Sequence, residues 1–109
     1  MAQQAPEAVA YFRVNGAFYL APRSAYVVHG AVEEGEVRAG NFLAVPYSSA
    51  RLPEVYTGAS IRAVESVRLA GGHEDVALLL ASDGASLRMW DELIAPGERL
   101  EVWEHDPTA

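Results

Sequence analysis

Apolar and polar residues alternate in short runs along this chain, and glycine, proline or serine separates one run from the next. The runs occupy residues 11–14, 17–20, 25–32, 42–47, 59–69, 76–81 and 99–104. No long stretch keeps the period of about 3.6 residues that marks an amphipathic helix. Short runs of period two, divided by turn residues, are typical of the strands of a β-sandwich or β-barrel.

Details of these runs predict where the strands turn and bend. Asn15-Gly16 is a strong tight-turn dipeptide, so we expect the chain to reverse there. In the strand that follows, Phe18 and Leu20 share one face, because side chains alternate along a strand. Ile61 and Val64 are three residues apart in a strand-like segment, which requires a bulge if both face the core.

Three glycines, Gly30, Gly35 and Gly40, are spaced five residues apart. Gly30 lies within a predicted strand, where glycine usually marks a bulge, a bend or a close approach of another backbone. Gly35 follows two glutamates and ends that strand, because a positive φ costs little only for glycine. Gly40 precedes Asn41 and turns the chain into the next strand. We therefore predict a positive φ at Gly35 or Gly40.

Together these features predict an all-β fold, a small closed antiparallel β-barrel of six or seven strands with at most one short helix. A barrel is favoured over a sandwich because closure leaves no strand edge open to aggregation. The 109 residues suit a single domain, which we place at residues 9–104. Residues 1–8 and 105–109 are expected to be flexible ends. Leu87 and Met89 alternate as in a further short strand.

The composition excludes several classes of chemistry. The chain has no cysteine, and all eight of its basic residues are arginine. A Walker A phosphate loop and a Schiff-base site both need lysine, and a thiol nucleophile needs cysteine. We therefore expect no nucleotide binding and no cofactor. The first residues lack the pattern of a signal peptide and no apolar run is long enough to span a membrane, so a cytoplasmic protein is expected.

The glycine spacing belongs to a longer pattern, G-x-V-x-x-G-x-V-x-x-G-[DN]-x-L-x-V, over residues 30–45. This pattern strongly resembles the second domain of translational GTPases, the β-barrel of the elongation factor Tu domain 2 type. The resemblance covers about residues 11–103, with further matching segments at 18–20, 61–65, 75–80 and 90–93. It implies the same barrel, here occurring alone without the GTPase domain that precedes it in full-length factors.

The resemblance also implies candidate binding residues. Arg23 stands where the family has the arginine of a G-R-G loop, and Glu65 matches a family glutamate near the terminal adenosine of aminoacyl-tRNA. Asp75 stands where an asparagine is common, and Trp90 replaces a glycine. Val67 stands in place of an aromatic residue or a histidine, so the aminoacyl pocket is only partly carried over.

Histidines and tryptophans supply the remaining candidates. His29 lies in the middle of a predicted strand, on the face opposite Tyr26, either as a barrel-wall residue or as part of a site. The segments 73–75 and 104–106 combine a histidine with carboxylates, and we expect them to be solvated rather than to bind a metal. Trp103 is out of phase with its apolar neighbours, so it is predicted on the outer face, where an exposed aromatic ring suits a contact surface.

The leading hypothesis is a non-catalytic binding or assembly module with an unidentified protein partner. The candidate binding residues are Arg23, His29, Glu65, Asp75, Trp90 and Trp103. An exposed apolar patch would favour this hypothesis.

The first alternative is a module that contacts tRNA or ribosomal RNA, which a patch of Arg23, Arg38 and Arg62 would favour. The net charge of −7 and the dispersed arginines disfavour it. The second alternative is a small enzyme, which a pocket holding His29 with a carboxylate would favour.

Overall fold

A computed structural model describes the chain at residues 7–48, 52–81 and 87–107. The described residues form six β-strands, one α-helix and one short 3-10 helix. In chain order they are β1 (Ala8–Leu20), the 3-10 helix (Ala21–Arg23), β2 (Ala25–Gly35), β3 (Phe42–Ser48), β4 (Leu52–Arg68), β5 (Glu74–Ala81), α1 (Leu87–Leu93) and β6 (Arg99–Trp103). The expected flexible ends lie largely outside the described residues, and Ala8 already belongs to β1.

The six described strands form one antiparallel sheet that closes on itself. Its strand order is β1-β2-β5-β4-β3-β6, and β6 pairs with β1 as well as with β3. Strands adjacent in sequence pair as β1–β2, β3–β4 and β4–β5, whereas the β2–β3 and β5–β6 connections join strands that are not neighbours. For the described residues, the prediction of an all-β fold with a closed antiparallel sheet of six or seven strands is confirmed, and α1 is the one short α-helix beside it.

The interior of the closed sheet is filled by every second strand residue, as a period of two predicts. The central buried side chains are Phe12, Val14, Tyr26, Val28, Leu43, Val45, Ile61, Leu78, Leu80, Leu100 and Val102. The helix α1 adds Trp90, whose ring stacks on Tyr26 with centroids 6.1 Å apart. The strand predicted from Leu87 and Met89 is therefore wrong. Trp90 and Ile94 both face the core, and their spacing of four residues fits a helix.

The dipeptide Asn15-Gly16 does not form the predicted turn, because β1 continues through it. The pairing of β1 with β2 instead shifts register between Val14 and Gly16, which is a bulge. The extra residue reverses the side-chain phase, so Ala17 and Tyr19 pack against the core. Phe18 consequently points outward, with 43% of its surface exposed.

β4 carries the second predicted irregularity. Its pairing with β5 shifts register between Ile61 and Ala63, which confirms a bulge in this segment. Ile61 is fully buried, whereas Val64 stays more than a third exposed. Only one of the two apolar residues that suggested the bulge therefore reaches the core.

The three regularly spaced glycines have the predicted structural roles. Gly30 lies opposite the β1 bulge with so little room that a Cβ there would meet the carbonyl oxygen of Arg13. Gly35 is the last residue of β2 and has a φ of +80°, and Gly40 lies between β2 and β3 with a φ of +97°. The close backbone approach at Gly30 and the positive φ at Gly35 and Gly40 are thereby confirmed.

Candidate functional site

The outward side chains of β1, β2, β5 and β4 form a second face of the closed sheet. Part of this face is buried as a small apolar group, which we name the outer cluster and which consists of Ala25, Val27, Ala77 and Leu79. His29 pairs with Ala77 across β2 and β5, and Asp75 precedes Ala77 by two residues. Since residues two apart in a strand share a face, the apolar outer cluster runs directly into a polar group that contains His29 and Asp75.

Asp75, the second residue of β5, is a buried carboxylate surrounded by donors. Its side chain is only 2% exposed, and Nδ2 of Asn15 donates to its two oxygens at 3.2 and 3.1 Å. Nδ1 of His29 lies 2.8 Å from Oδ2, and Nε2 of His73 lies 2.8 Å from Oδ1. We name these four residues the Asp75 cluster. Their contacts offset the cost of burying a charge.

The hydrogen bonds of the cluster hold Asp75 in its ionised form. The bond from His29 contributes most to lowering the pKa of Asp75; burial opposes it, and Asn15 and His73 lower the pKa further. An ionised carboxylate can only accept hydrogen bonds. Nδ1 of His29 must therefore carry the hydrogen that faces Asp75. When the His29 ring is neutral, this fixes the tautomer in which Nε2 is an unprotonated acceptor.

Nε2 of His29 is not fully buried, although the side chain that carries it is only 15% exposed. Within the described part of the chain, Nε2 has no hydrogen-bond partner. Every buried side-chain nitrogen or oxygen atom there does have a partner, so Nε2 is not one of the buried atoms. Gly16 lies against this atom, and a Cβ there would approach it to 2.7 Å, closer than real contacts allow. The φ of Gly16 is not positive, so its backbone conformation alone does not require glycine. The absence of a side chain at Gly16 therefore matters for His29.

Phe18 provides an apolar surface beside His29. The centroids of the two rings are 6.1 Å apart and their planes are tilted by 52°. The outward position of Phe18, which results from the β1 bulge, leaves much of its ring in solvent. An oriented imidazole acceptor next to an exposed aromatic ring can bind a ligand that carries a hydrogen-bond donor. The same imidazole could also take a proton from a substrate.

Arg23 and Glu65, two candidate binding residues taken from the family resemblance, bind each other. Two hydrogen bonds of 3.1 and 2.9 Å join the Arg23 guanidinium to the Glu65 carboxylate on β4. Hydrogen bonding lowers the pKa of Glu65 and raises that of Arg23. Arg62 reaches the Arg23 carbonyl oxygen at 3.4 Å, whereas Arg38 pairs with Glu36. A carboxylate thus already compensates the charge of Arg23, and Arg38 is engaged in a pair of its own.

Neither tryptophan offers an exposed ring. Trp90 is 4% exposed and Trp103 is 3% exposed. Trp103 does face outward as predicted, but it stacks on Phe42 at 5.7 Å and its Nε1 donates to Glu101. Trp90 lies in the core against Tyr26. The expectation of an exposed tryptophan is therefore wrong, because a neighbouring ring covers each one.

The structure brings together His29 and Asp75, which are far apart in sequence. The expectation of a solvated turn at residues 73–75 is wrong for Asp75, which is buried in β5. Asn15 and Gly16 were not among the residues expected at the site. Their dipeptide indicates a turn, and nothing in its local pattern shows that the strand bulges against His29.

Two classes of feature are absent from the part of the chain that the structure describes. It contains no group of three or more histidine, aspartate or glutamate residues arranged to hold a metal ion. In the Asp75 cluster the facing histidine nitrogens point at the carboxylate itself. Within the same residues, no helix is both long enough and apolar enough to cross a membrane.

No protein-family model, curated protein or solved structure matches this chain. The resemblance to the elongation factor Tu domain 2 type therefore stays a prediction. What is established is an all-β chain with a closed, six-stranded antiparallel sheet in its described part. Its function must be argued from the chemistry of the outer face.

Proposed function

We propose that this chain is a non-catalytic binding module, built on a barrel of the elongation factor Tu domain 2 type and acting in the cytoplasm on a protein partner. The positions of the motif support the barrel type. Val28, Gly30 and Val32 lie in β2, which ends at Gly35, and residues 43–45 lie in β3. These are the elements in which the resemblance expects them.

The observation that carries the binding proposal is the open Nε2 of His29. Asp75 orients the ring, and Gly16 places no side chain against Nε2. Phe18 adds an exposed aromatic surface, the kind of side chain that contributes strongly to protein interfaces. A buried, fully partnered carboxylate that fixes one unpartnered acceptor gives a rigid recognition point, and rigidity lowers the entropy lost on binding.

A specific observation also favours a second candidate function, a small enzyme with His29 as general base. The hydrogen bond from His29 to Asp75 orients the imidazole as the aspartate does in serine hydrolase triads. Among the described residues, however, no hydroxyl group donates a hydrogen bond to Nε2, so we place binding ahead of catalysis. Turnover of a substrate that is lost in His29→Gln and retained in His105→Gln would reverse this order.

Capture of partners from the source cell tests the binding proposal, with the wild-type chain compared against His29→Ala and His105→Ala. His105 is an exposed histidine outside the Asp75 cluster, which makes it a matched control. We expect a protein that survives nuclease treatment, is retained by His105→Ala and is lost with His29→Ala. Equal capture by both variants, or capture that disappears with nuclease, would contradict the proposal.

We expect no tight binding of bulk tRNA at about 150 mM salt, where the Debye length is only ~8 Å. The net charge of −7 repels a phosphate backbone, and Glu65 already pairs with Arg23. A fluorescence titration of labelled tRNA measures this, with Arg23→Ala as the comparison. Sub-micromolar affinity that falls steeply with salt and weakens in Arg23→Ala would replace the protein partner with RNA.

A further inference from the structure

We infer that His29 Nε2 accepts a hydrogen bond from the hydroxyl group of a phenol ring that packs against Phe18. This inference rests on the proposed binding function and names the chemical group that the site recognises. The phenol belongs either to a small aromatic molecule or to a tyrosine side chain of a partner, since both present the same ring and hydroxyl.

The ligand must supply a donor, because the site supplies an acceptor. Nδ1–H of His29 is committed to the Asp75 carboxylate, so the neutral ring offers Nε2 only as an acceptor. An anion is disfavoured at the same place. The ionised Asp75 carboxylate lies on the other side of the imidazole, and its charge would repel a phosphate or carboxylate ligand.

The ligand must also carry a flat apolar body. The exposed ring of Phe18 lies beside His29, and Gly16 places no side chain against Nε2. Aromatic rings pair favourably in tilted or offset arrangements with centroids about 4.5–7 Å apart. A phenol combines such a ring with a single strong donor and no charge, which matches both requirements.

A titration with p-cresol tests the donor, and 4-methylanisole serves as the matched probe because it has nearly the same shape without the hydroxyl hydrogen. Both are followed through the amide signals of Gly16 and Phe18 in ¹H–¹⁵N spectra, at about pH 8.5, where imidazoles are generally neutral. We expect p-cresol to bind in the millimolar range, and 4-methylanisole at least about threefold more weakly, the ratio expected for one lost hydrogen bond. Equal affinities, or no saturable binding of p-cresol, would overturn the inference.

Two variants test the location. Gly16→Val places a side chain over Nε2, so p-cresol binding should fall at least about tenfold, the effect of excluding a ligand group from its acceptor. His105→Ala leaves the Asp75 cluster intact and should bind p-cresol like the wild-type chain. The amide spectrum of each variant shows whether it is folded. Unchanged p-cresol affinity in folded Gly16→Val would overturn the inference.

N-acetyl-tyrosinamide and N-acetyl-phenylalaninamide separate the two sources of phenol. If N-acetyl-tyrosinamide binds more tightly than p-cresol, the site is assigned to a tyrosine side chain; if it binds more weakly, the site is assigned to a free phenol. Either result supports the inference, provided that N-acetyl-phenylalaninamide binds more weakly than N-acetyl-tyrosinamide. If no phenol binds but capture of the partner still depends on His29, the inference is contradicted and the proposed binding function is retained. Phenol binding without such a partner would confirm the site and contradict the protein-partner function.

Discussion

Gly35→Val is expected to destabilise the fold by about 3–5 kcal/mol, and Gly40→Val by only about 1–2 kcal/mol. Both glycines have positive φ, so a β-branched residue is strained at either position. They differ in their surroundings. A Cβ on Gly35 would collide with the backbone of Val9 and Ala10, whereas a Cβ on Gly40 has open space around it. The difference between the two variants therefore isolates the cost of moving β1 away from β2.

Urea unfolding of the two variants and the parent measures these costs, since a single domain of this size is expected to unfold in one cooperative step. Equal losses of unfolding free energy in Gly35→Val and Gly40→Val would show that only the backbone dihedral determines the cost. The close approach of β1 to Gly35 would then contribute nothing. A Gly35→Val protein as stable as the parent would remove the assigned role of this glycine at the end of β2.

Asp75→Ala is expected to cost about 2–4 kcal/mol of stability, because it removes the buried carboxylate that accepts the part-buried hydrogen bonds of Asn15 and His29. Glu65→Gln is the matched control. Glu65 also pairs with a basic group, but that pair is more than 40% exposed on both sides and should contribute at most about 1 kcal/mol. Unfolding at neutral pH compares the two variants. A loss no larger for Asp75→Ala than for Glu65→Gln would contradict the buried cluster.

The lowered pKa of Asp75 also predicts a pH dependence with a definite sign. The folded pKa lies below the unfolded value of about 3.9, so the stabilisation is fully present above that value. It is lost as the pH falls through the lower folded pKa. Urea unfolding should therefore show the parent losing stability below about pH 4, and Asp75→Asn should lose part of that dependence. An identical acid profile for the two proteins would be inconsistent with an ionised Asp75.

The local pattern of the sequence was enough to predict most of the strand segments and the inward faces of several of them. Side chains such as Tyr26 and Val28 are buried because alternation within one run already determines which face they occupy. Gly35 was also predictable, since only glycine adopts its backbone conformation at low cost. These are short-range properties, and each depends on residues close together in the chain.

The candidate site depends on contacts between distant residues, and for that reason it was only partly predictable. His29 and Asp75 were each chosen as candidates, but their contact follows from the pairing of β2 with β5, which no local pattern specifies. Asn15 reaches Asp75 only because β1 bulges where its sequence indicates a turn. Trp103 has the predicted face, yet its burial depends on Phe42 in another strand.

The central claim is that Asp75 holds His29 with Nδ1–H toward the carboxylate and Nε2 open as an acceptor. Long-range ¹H–¹⁵N spectra of the histidine rings test it most directly, because they distinguish a protonated from an unprotonated ring nitrogen. At about pH 8.5, where imidazoles are generally neutral, we expect His29 to show a protonated Nδ1 and an unprotonated Nε2. Asp75→Asn should disturb this state. A protonated Nε2 in the parent, or a His29 spectrum that Asp75→Asn leaves unchanged, would contradict the account.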